Sequence, residues 1–196
     1  MSDPLIDADD KASTPLTPQE REALIPSYIT QRRELNEAEQ IGIANADRWA
    51  FARRREVLNE AFLRRLHRRM FQGVWKWAGQ FRTTARNIGV DAWQIAPHLR
   101  QLIDDARYWV DHQTFHPDEI AVRFHHRLVF IHPFPNGNGR LSRLAADLLV
   151  VRLGQERFTW GSGNLVAVAD LRKRYVDALR AADNQVIEPL IDFARS

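Results

Sequence analysis

Apolar positions recur at helical spacing along most of the chain. Leu58, Phe62 and Leu66 stand four residues apart, and arginines fill the other positions of that stretch. A repeat of three to four residues is the pattern of a helix that buries one face. The pattern predicts helices over 27–52, 53–70, 99–111 and 171–182. The chain is therefore expected to be mostly α.

The best-marked helix ends lie in the second half of the chain. Pro117 is followed by two acidic residues, which is typical of a first helical turn. Ile120 and Phe124 continue from there as one apolar stripe. Gly154 is expected to end the following helix, and Pro189 to open a last short one.

Two segments depart from the helical pattern. Residues 1–24 are polar and acidic, so we expect a mobile lead-in, with one domain over 25–196. Residues 83–95 place Thr, Val, Ile and Trp around Gly89, which favours a short hairpin or an extended flap. The predicted fold is a helical bundle with a short β-hairpin flap.

Composition narrows the class of protein. The chain has 196 residues, 44% of them hydrophobic, which suits one domain with a substantial core. It has no cysteine, which excludes disulfides and thiolate metal sites and fits a reducing compartment. No stretch is long and apolar enough to span a membrane, and no signal peptide is visible. We therefore expect a cytoplasmic protein without a membrane partner.

The charge is modestly positive. Lys and Arg number 28 against 25 Asp and Glu, which gives a net charge of +3, and nearly all the positive charge is arginine. Arginine suits bidentate contacts to phosphate, so an arginine-rich nucleic-acid-binding protein is one hypothesis. The arginines are spread along helices and balanced by acids, however, which argues against nucleic acid as the partner.

The segment HPFPNGNGR, residues 132–140, interrupts two apolar helical patterns. A glycine-containing loop that leads into a helix presents several backbone N–H groups to an anion. Gly137 and Gly139 allow the backbone to turn these groups toward one point. Arg140 and Arg143 stand three residues apart, so they are expected to project from nearly the same face. The pattern suits a polyphosphate.

Two further residues of the loop have expected roles. His132 ends the preceding helix and titrates near neutrality, so it can take a proton at the mouth of the site. Phe134 is expected to be a core plug that pins the loop. The loop is no Walker A motif, because it lacks the Lys of that motif and no strand precedes it. For any single residue here, an ordinary helix–loop–helix turn is the simpler interpretation.

The stretch HPFPNGNGRLSR, residues 132–143, resembles the signature of the Fic family, His-x-Phe-x-(Asp/Glu)-Gly-Asn-Gly-Arg-x-x-Arg. WKWAGQFRT, residues 75–83, is similar to the segment before the family's flap, and NIGV, residues 87–90, to the flap itself. The likeness covers roughly residues 24–194. The whole pattern resembles a subgroup of small bacterial Fic proteins called mobile mystery protein B.

This resemblance implies an all-α core that transfers AMP from ATP to a Ser, Thr or Tyr hydroxyl of a target protein. It implies that His132 is the general base. The nucleotide-binding set carried over from the signature is Phe134, Gly137, Asn138, Gly139, Arg140 and Arg143. The flap residues Asn87, Ile88 and Gly89 are expected to dock the target by strand addition.

Asn136 departs from the signature. The family has Asp or Glu at this position, where the carboxylate holds Mg²⁺. An amide offers an oxygen but no charge for a hard cation, so the expectation of Mg²⁺ is weakened. Two alternatives follow: the nucleotide phosphates hold the metal, or the protein is a weakly active or inactive nucleotide-binding regulatory module.

The resemblance also implies regulation. Many Fic proteins carry an inhibitory helix with the pattern (Ser/Thr)-x-x-x-Glu-(Gly/Asn), whose Glu pairs with the second arginine of the loop. Thr30 and Glu34 have this spacing, near residues 27–45, but Leu35 follows where Gly or Asn is expected. The other interpretation is a helix start with Thr30 as N-cap and Glu34 in the first turns. A small regulatory partner protein is a further expectation.

Overall fold

The computed structural model describes residues 18–162 and 168–196. Within these ranges the chain forms eight α-helices. They are α1 (Pro18–Arg21), α2 (Arg32–Phe51), α3 (Glu60–Phe71), α4 (Ile95–Asp111), α5 (Pro117–Ile131), α6 (Asn138–Arg152), α7 (Val168–Asp183) and α8 (Glu188–Arg195). A 3₁₀ turn, Ala92–Gln94, leads into α4.

The helices α5 and α6 form the centre of the bundle and pack extensively against each other. The predicted stripe of Ile120, Phe124 and Leu128 is buried on α5. The helix α6 is buried along most of its length. On the outside, α4 and α8 pack on α5, while α2 and α3 pack on α6. The loop that joins α5 to α6 therefore begins and ends on the two central helices, which are packed on both sides.

Helix ends follow local chemistry. The start of α5 at Pro117 and the glycine after α6 confirm two predictions, since Gly154 has a left-handed φ of 88°. The helix predicted from residue 53 begins only at Glu60. Its delay has a local cause: the side chain of Asn59 accepts a hydrogen bond from the Phe62 N–H at 3.0 Å and caps α3.

The flap does not form the predicted hairpin. Residues 83–91 contain no strand, and among residues 18–162 and 168–196 one isolated β-bridge joins Leu24 to Trp75. The reason is that two flap carbonyls, of Thr84 and Val90, accept hydrogen bonds from the side chain of Arg82 instead of from a partner strand. We call residues 83–91 the flap below.

Part of the predicted lead-in is held against the domain. Leu24 pairs with Trp75, Glu20 forms an ion pair with Arg86, and the Trp77 indole donates to the Glu20 carbonyl at 3.2 Å. Residues 18–24 thus pack on the base of the flap, whereas residues 1–17 lie outside the described ranges. None of the described helices combines the length and hydropathy that crossing a membrane requires.

Candidate active site

The loop between α5 and α6 is braced from inside by two of its own residues. Phe134 is completely buried and stacks on the His67 ring with a centroid distance of 3.8 Å. The Asn138 side chain accepts from the Phe134 N–H at 2.9 Å and donates to the Phe134 carbonyl at 2.8 Å. Phe134 is therefore the expected core plug. Its assignment as a nucleotide contact stays a prediction, and the side chain is buried in this conformation.

The loop opens α6 in a form that suits an anion. Gly137 has a φ of 80°, and a Cβ there would lie 2.5 Å from the Phe71 ring, so only glycine fits. The N–H groups of Asn138, Gly139 and Arg140 begin the helix and have no intrahelical acceptor. A Cβ on Gly139 would meet its nearest atom outside the helix, the Tyr175 hydroxyl, at 4.0 Å, so the surface beside Gly139 is uncrowded.

His67 braces the loop from α3. The Gly79 N–H donates to Nδ1 at 2.9 Å, so Nδ1 carries no proton and Nε2–H donates to the Asn136 carbonyl at 3.0 Å. Burial, opposed only in part by that hydrogen bond, lowers the pKa of His67 to about 3. His67 had no predicted role. Its signal was its position on the apolar stripe of α3, between Leu63 and Met70.

His132, the expected base, is the residue that ends α5. It has a left-handed backbone, with φ 53° and ψ 59°, and only 7% of its surface is exposed. Nδ1 lies 3.3 Å from the Val129 carbonyl, which places the proton on Nδ1 and the lone pair on Nε2. Burial, together with Arg82 and Arg86, lowers its pKa to about 4. The expected titration near neutrality is therefore wrong, and the imidazole is neutral at pH 7.

The two signature arginines diverge. The Arg140 guanidinium donates to the Glu39 carboxylate of α2 at 2.7 Å and lies 4.8 Å from the Phe71 ring centre. Arg143 lies instead over Tyr175 of α7, 5.5 Å from its ring centre. The two guanidinium groups therefore contact different helices, and their joint use on one ligand stays a prediction. Two positive groups border the start of α6 on two sides, which is suitable for separate phosphates of one ligand.

Each arginine is held by groups that the sequence analysis did not single out. Glu39 is 4% exposed, and its second oxygen accepts from the Trp75 indole at 2.8 Å. The Tyr175 hydroxyl lies 3.1 Å from His125 Nε2, and burial raises the pKa of Tyr175 to about 12. Glu39 lies in a helix-forming stretch, ELNEAEQ, where acids are common on the solvent face, so its role had no distinct signal.

Glu34 occupies a helix cap. Its carboxylate accepts from the N–H groups of Thr30 at 2.8 Å and Gln31 at 3.0 Å, and these hydrogen bonds lower its pKa. Among the described residues it forms no ion pair with Arg143. This is the helix-start arrangement, except that the cap position is Gln31 rather than Thr30. An inhibitory role for Thr30 and Glu34 stays a prediction that this conformation does not display.

The protein groups around Asn136 do not fit a bound divalent cation. The Asn136 amide oxygen lies 2.5 Å from the Gly137 N–H and 3.4 Å from an Arg140 nitrogen. An oxygen that already accepts from an amide and faces a guanidinium is a poor ligand for a hard cation. Within residues 18–162 and 168–196, no group of three His, Cys, Asp or Glu is placed to hold a metal.

The flap lies directly against the histidine. A Cβ on Gly89 would lie 2.6 Å from the His132 Cβ, and Gly89 has a φ of 96°. The neighbouring Ile88 is 44% exposed. The structure therefore brings Ile88 and Gly89, predicted as docking residues, next to the predicted base.

The part of the chain that contains this loop is similar to known proteins. Residues 57–150, which include the whole loop, match the Fic/DOC family. "Protein adenylyltransferase Fic" of Aedes aegypti is 30% identical over 118 residues, 59% of this chain and 22% of that protein. The resemblance to the Fic family is confirmed. The mobile mystery protein B subgroup stays a prediction. The chain spans about a quarter or less of the length of such curated relatives.

Solved structures show the same fold. The N-terminal Fic domain of a Bartonella quintana effector protein has a TM-score of 0.70 and 19% identity, covering 90% of this chain and 91% of that one. BepC of Bartonella tribocorum, with bound AMPPNP, has a TM-score of 0.69 and 19% identity, covering 91% and 97%. At this identity the likeness establishes the Fic helical fold of this chain.

Proposed function

We propose that this chain transfers AMP from ATP to a Ser, Thr or Tyr hydroxyl of a target protein. The observation that carries the proposal is a neutral His132 at the mouth of a loop whose helix N-terminus and two arginines suit a polyphosphate. The adenylyltransferase names of the curated relatives and the AMPPNP of the Bartonella tribocorum protein support it.

Each group then has one role. His132 Nε2 takes the proton of the target hydroxyl, and the hydroxyl oxygen forms a bond to the α-phosphorus of ATP. The bond from this phosphorus to the bridging oxygen breaks, and pyrophosphate leaves. The N–H groups at the start of α6, with Arg140 and Arg143, neutralise charge on the phosphates. Such transfer depends on positioning and charge neutralisation more than on covalent participation of the protein.

The test is a labelling experiment with two forms of ATP. Purified chain is incubated with Mg²⁺ and a lysate, using ATP labelled on the α-phosphate or, as the matched control, on the γ-phosphate. AMP transfer labels protein only from the α-labelled form. Label from the γ-phosphate would identify phosphoryl transfer instead and would contradict the proposal.

A second candidate is a nucleotide-binding regulatory module without transfer activity. The observation that favours it is the surroundings of Asn136, which offer no carboxylate for a metal. This candidate predicts ATP binding in calorimetry and no label from either form of ATP. The first candidate predicts ATP binding together with label from the α-phosphate.

Asn136→Asp is expected to strengthen the dependence of transfer on Mg²⁺, because a carboxylate adds the charged oxygen that a hard cation prefers. The measurement is a Mg²⁺ titration of the transfer rate. Asn136→Ala is the control, since it removes the amide without adding charge. If the aspartate variant has the same Mg²⁺ midpoint and rate as the natural chain, position 136 does not face the metal.

Ile88→Asp is expected to reduce target modification at least severalfold while ATP affinity stays the same, because it places a charge on the exposed flap beside His132. An extended target segment that pairs with flap backbone needs this side chain as an apolar contact. Ile41→Asp is the matched control: Ile41 is also an exposed isoleucine, 66% against 44%, but lies on α2. Equal target modification by the two variants would rule out docking at Ile88.

A further inference from the structure

Arg82 is a buried cation whose partners are all backbone carbonyls. It is 3% exposed, and no carboxylate of the described residues forms an ion pair with it. Its Nε donates to the His132 carbonyl at 2.7 Å, and one terminal nitrogen lies 3.4 Å from the Ile131 carbonyl. The same terminal nitrogen also donates to the flap carbonyl of Val90, and the other terminal nitrogen donates to that of Thr84 at 2.9 Å.

These carbonyls explain how the charge is tolerated. A buried cation without compensation is costly, and a carbonyl left unpaired at a helix end is costly as well. The Ile131 and His132 carbonyls stand at the C-terminus of α5, where the helix dipole is negative. Arg82 therefore caps α5 while its other donors hold both ends of the flap. One side chain connects two segments that are distant in sequence.

Arg82 contacts the backbone of His132, which has a left-handed conformation. A left-handed conformation is uncommon for a residue other than glycine, and it persists only where its surroundings hold it. At His132 the carbonyl is held by Arg82, and the Cβ faces Gly89, where an added Cβ would lie 2.6 Å away. That same position is 3.0 Å from an Arg82 nitrogen, so flap, arginine and histidine are in direct contact.

We propose that Arg82 is a positioning residue that ties the flap to the backbone of His132, so that a target hydroxyl docked on the flap meets the imidazole at a fixed position. This inference rests on the proposed function. Arg82 acts through His132 and the flap, because each of its three guanidinium nitrogens donates to a carbonyl of one or the other.

Arg82 also has an electrostatic effect that a purely structural role would not produce. Among the described residues, Arg82 and Arg86 act on His132 with their charge, and on α5 the Val129 carbonyl accepts from its ring. Both arginines oppose protonation of the imidazole. Loss of the Arg82 charge is therefore expected to make His132 easier to protonate, whereas a lysine at this position keeps the charge but not the fork of donors.

The experiment compares Arg82→Lys with Arg82→Met. Both are expected to lower the transfer rate by roughly 10- to 100-fold through misplacement of the base, with ATP affinity unchanged in calorimetry. Only Arg82→Met is expected to raise the pKa of His132, followed by NMR of its imidazole and by the acid limb of the transfer rate. Arg64→Met is the matched control, because Arg64 also donates to a carbonyl, that of Gly79 at 3.1 Å, without contacting His132.

The outcomes separate the two proposals. The positioning role would be overturned if both folded Arg82 variants transferred AMP at the natural rate. It would also be overturned if ATP affinity fell as much as the transfer rate, or if the His132 pKa were unchanged in Arg82→Met. Absence of transfer by the natural chain would count against the proposed function alone, and the NMR titration would still decide on Arg82. If both variants fail to fold, solvent exchange of the Arg82 Nε–H in the natural chain decides. Strong protection relative to the exposed Arg53 supports the role, and equal exchange overturns it.

Discussion

His132→Ala is expected to reduce AMP transfer by ~10²–10⁴-fold while ATP affinity stays nearly unchanged, because the variant removes the proton acceptor and leaves the phosphate-binding groups in place. The loop does not depend on the imidazole for its shape. It is held by Phe134, Asn138 and His67, whose contacts do not involve the His132 ring. Transfer of label from α-labelled ATP measures the rate, and calorimetry measures the affinity.

The matched control is His126→Ala. His126 stands on the same helix, and its Nε2–H donates to the Asp183 carboxylate at 2.8 Å, away from the loop. It should transfer at the natural rate, so a fall in both variants would indicate damage to α5 rather than loss of a base. Natural-rate transfer by His132→Ala would exclude His132 as the base. Since the pKa of His132 is about 4, the natural chain should also keep its rate near pH 5.5, where an ordinary histidine is mostly protonated.

Local signals in the sequence predicted the parts of the fold that local chemistry decides. Pro117 and Gly154 mark helix ends because their preferred backbone angles match those positions in any surroundings. The turn that leads into α6 was predictable for the same reason, since Gly137 has the left-handed conformation that its position requires. The start of α3 was missed although its cap, Asn59, is also a local signal.

The supports of the site could not be predicted in this way, because they depend on contacts between distant segments. His67 and Asn136 are 69 positions apart, Arg82 and His132 are 50 apart, and Glu39 and Arg140 are 101 apart. A helical period shows that a residue faces inward. It does not show which carbonyl or carboxylate that residue meets there.

The flap shows how an intrinsic tendency is overridden. Thr, Val and Ile favour a strand, but a strand needs a partner to satisfy its backbone groups. Here Arg82 takes two of the flap carbonyls, and Gly89 fits closely against His132. The backbone follows these contacts instead of pairing with itself, so the segment stays irregular.

Acidification from pH 7.5 to pH 5 is expected to lower the free energy of unfolding by ~4 kcal/mol through His67 and His125 together. Burial lowers the pKa of each to about 3, from 6.5 in the unfolded chain. The unfolded state therefore binds protons below pH 6.5, while the folded state does not until near pH 3. The stabilisation that depends on the two neutral histidines is fully present above pH 6.5. By pH 5 the free energy of unfolding has fallen by ~2 kcal/mol for each histidine. The loss is large compared with the free energy of unfolding of a typical protein, which is roughly 5–15 kcal/mol.

Urea unfolding at the two pH values measures this loss together with a further ~2 kcal/mol from His132, whose pKa is lowered to about 4. His67→Gln isolates the share of His67. Glutamine keeps a donor for the Asn136 carbonyl and an acceptor for the Gly79 N–H but cannot be protonated. Its difference in unfolding free energy between pH 7.5 and pH 5 should be smaller by ~2 kcal/mol than that of the natural chain. His112→Gln, at an exposed position after α4, is the control and should keep the full difference. The buried Asp147 acts in the opposite direction, because burial raises its pKa, but it contributes equally to all three proteins.

If His67→Gln keeps the full difference, His67 is protonated in the folded state at pH 5, and the Gly79 N–H then has no acceptor on the ring. The brace between α3 and the loop would in that case be a different one from the neutral imidazole described above.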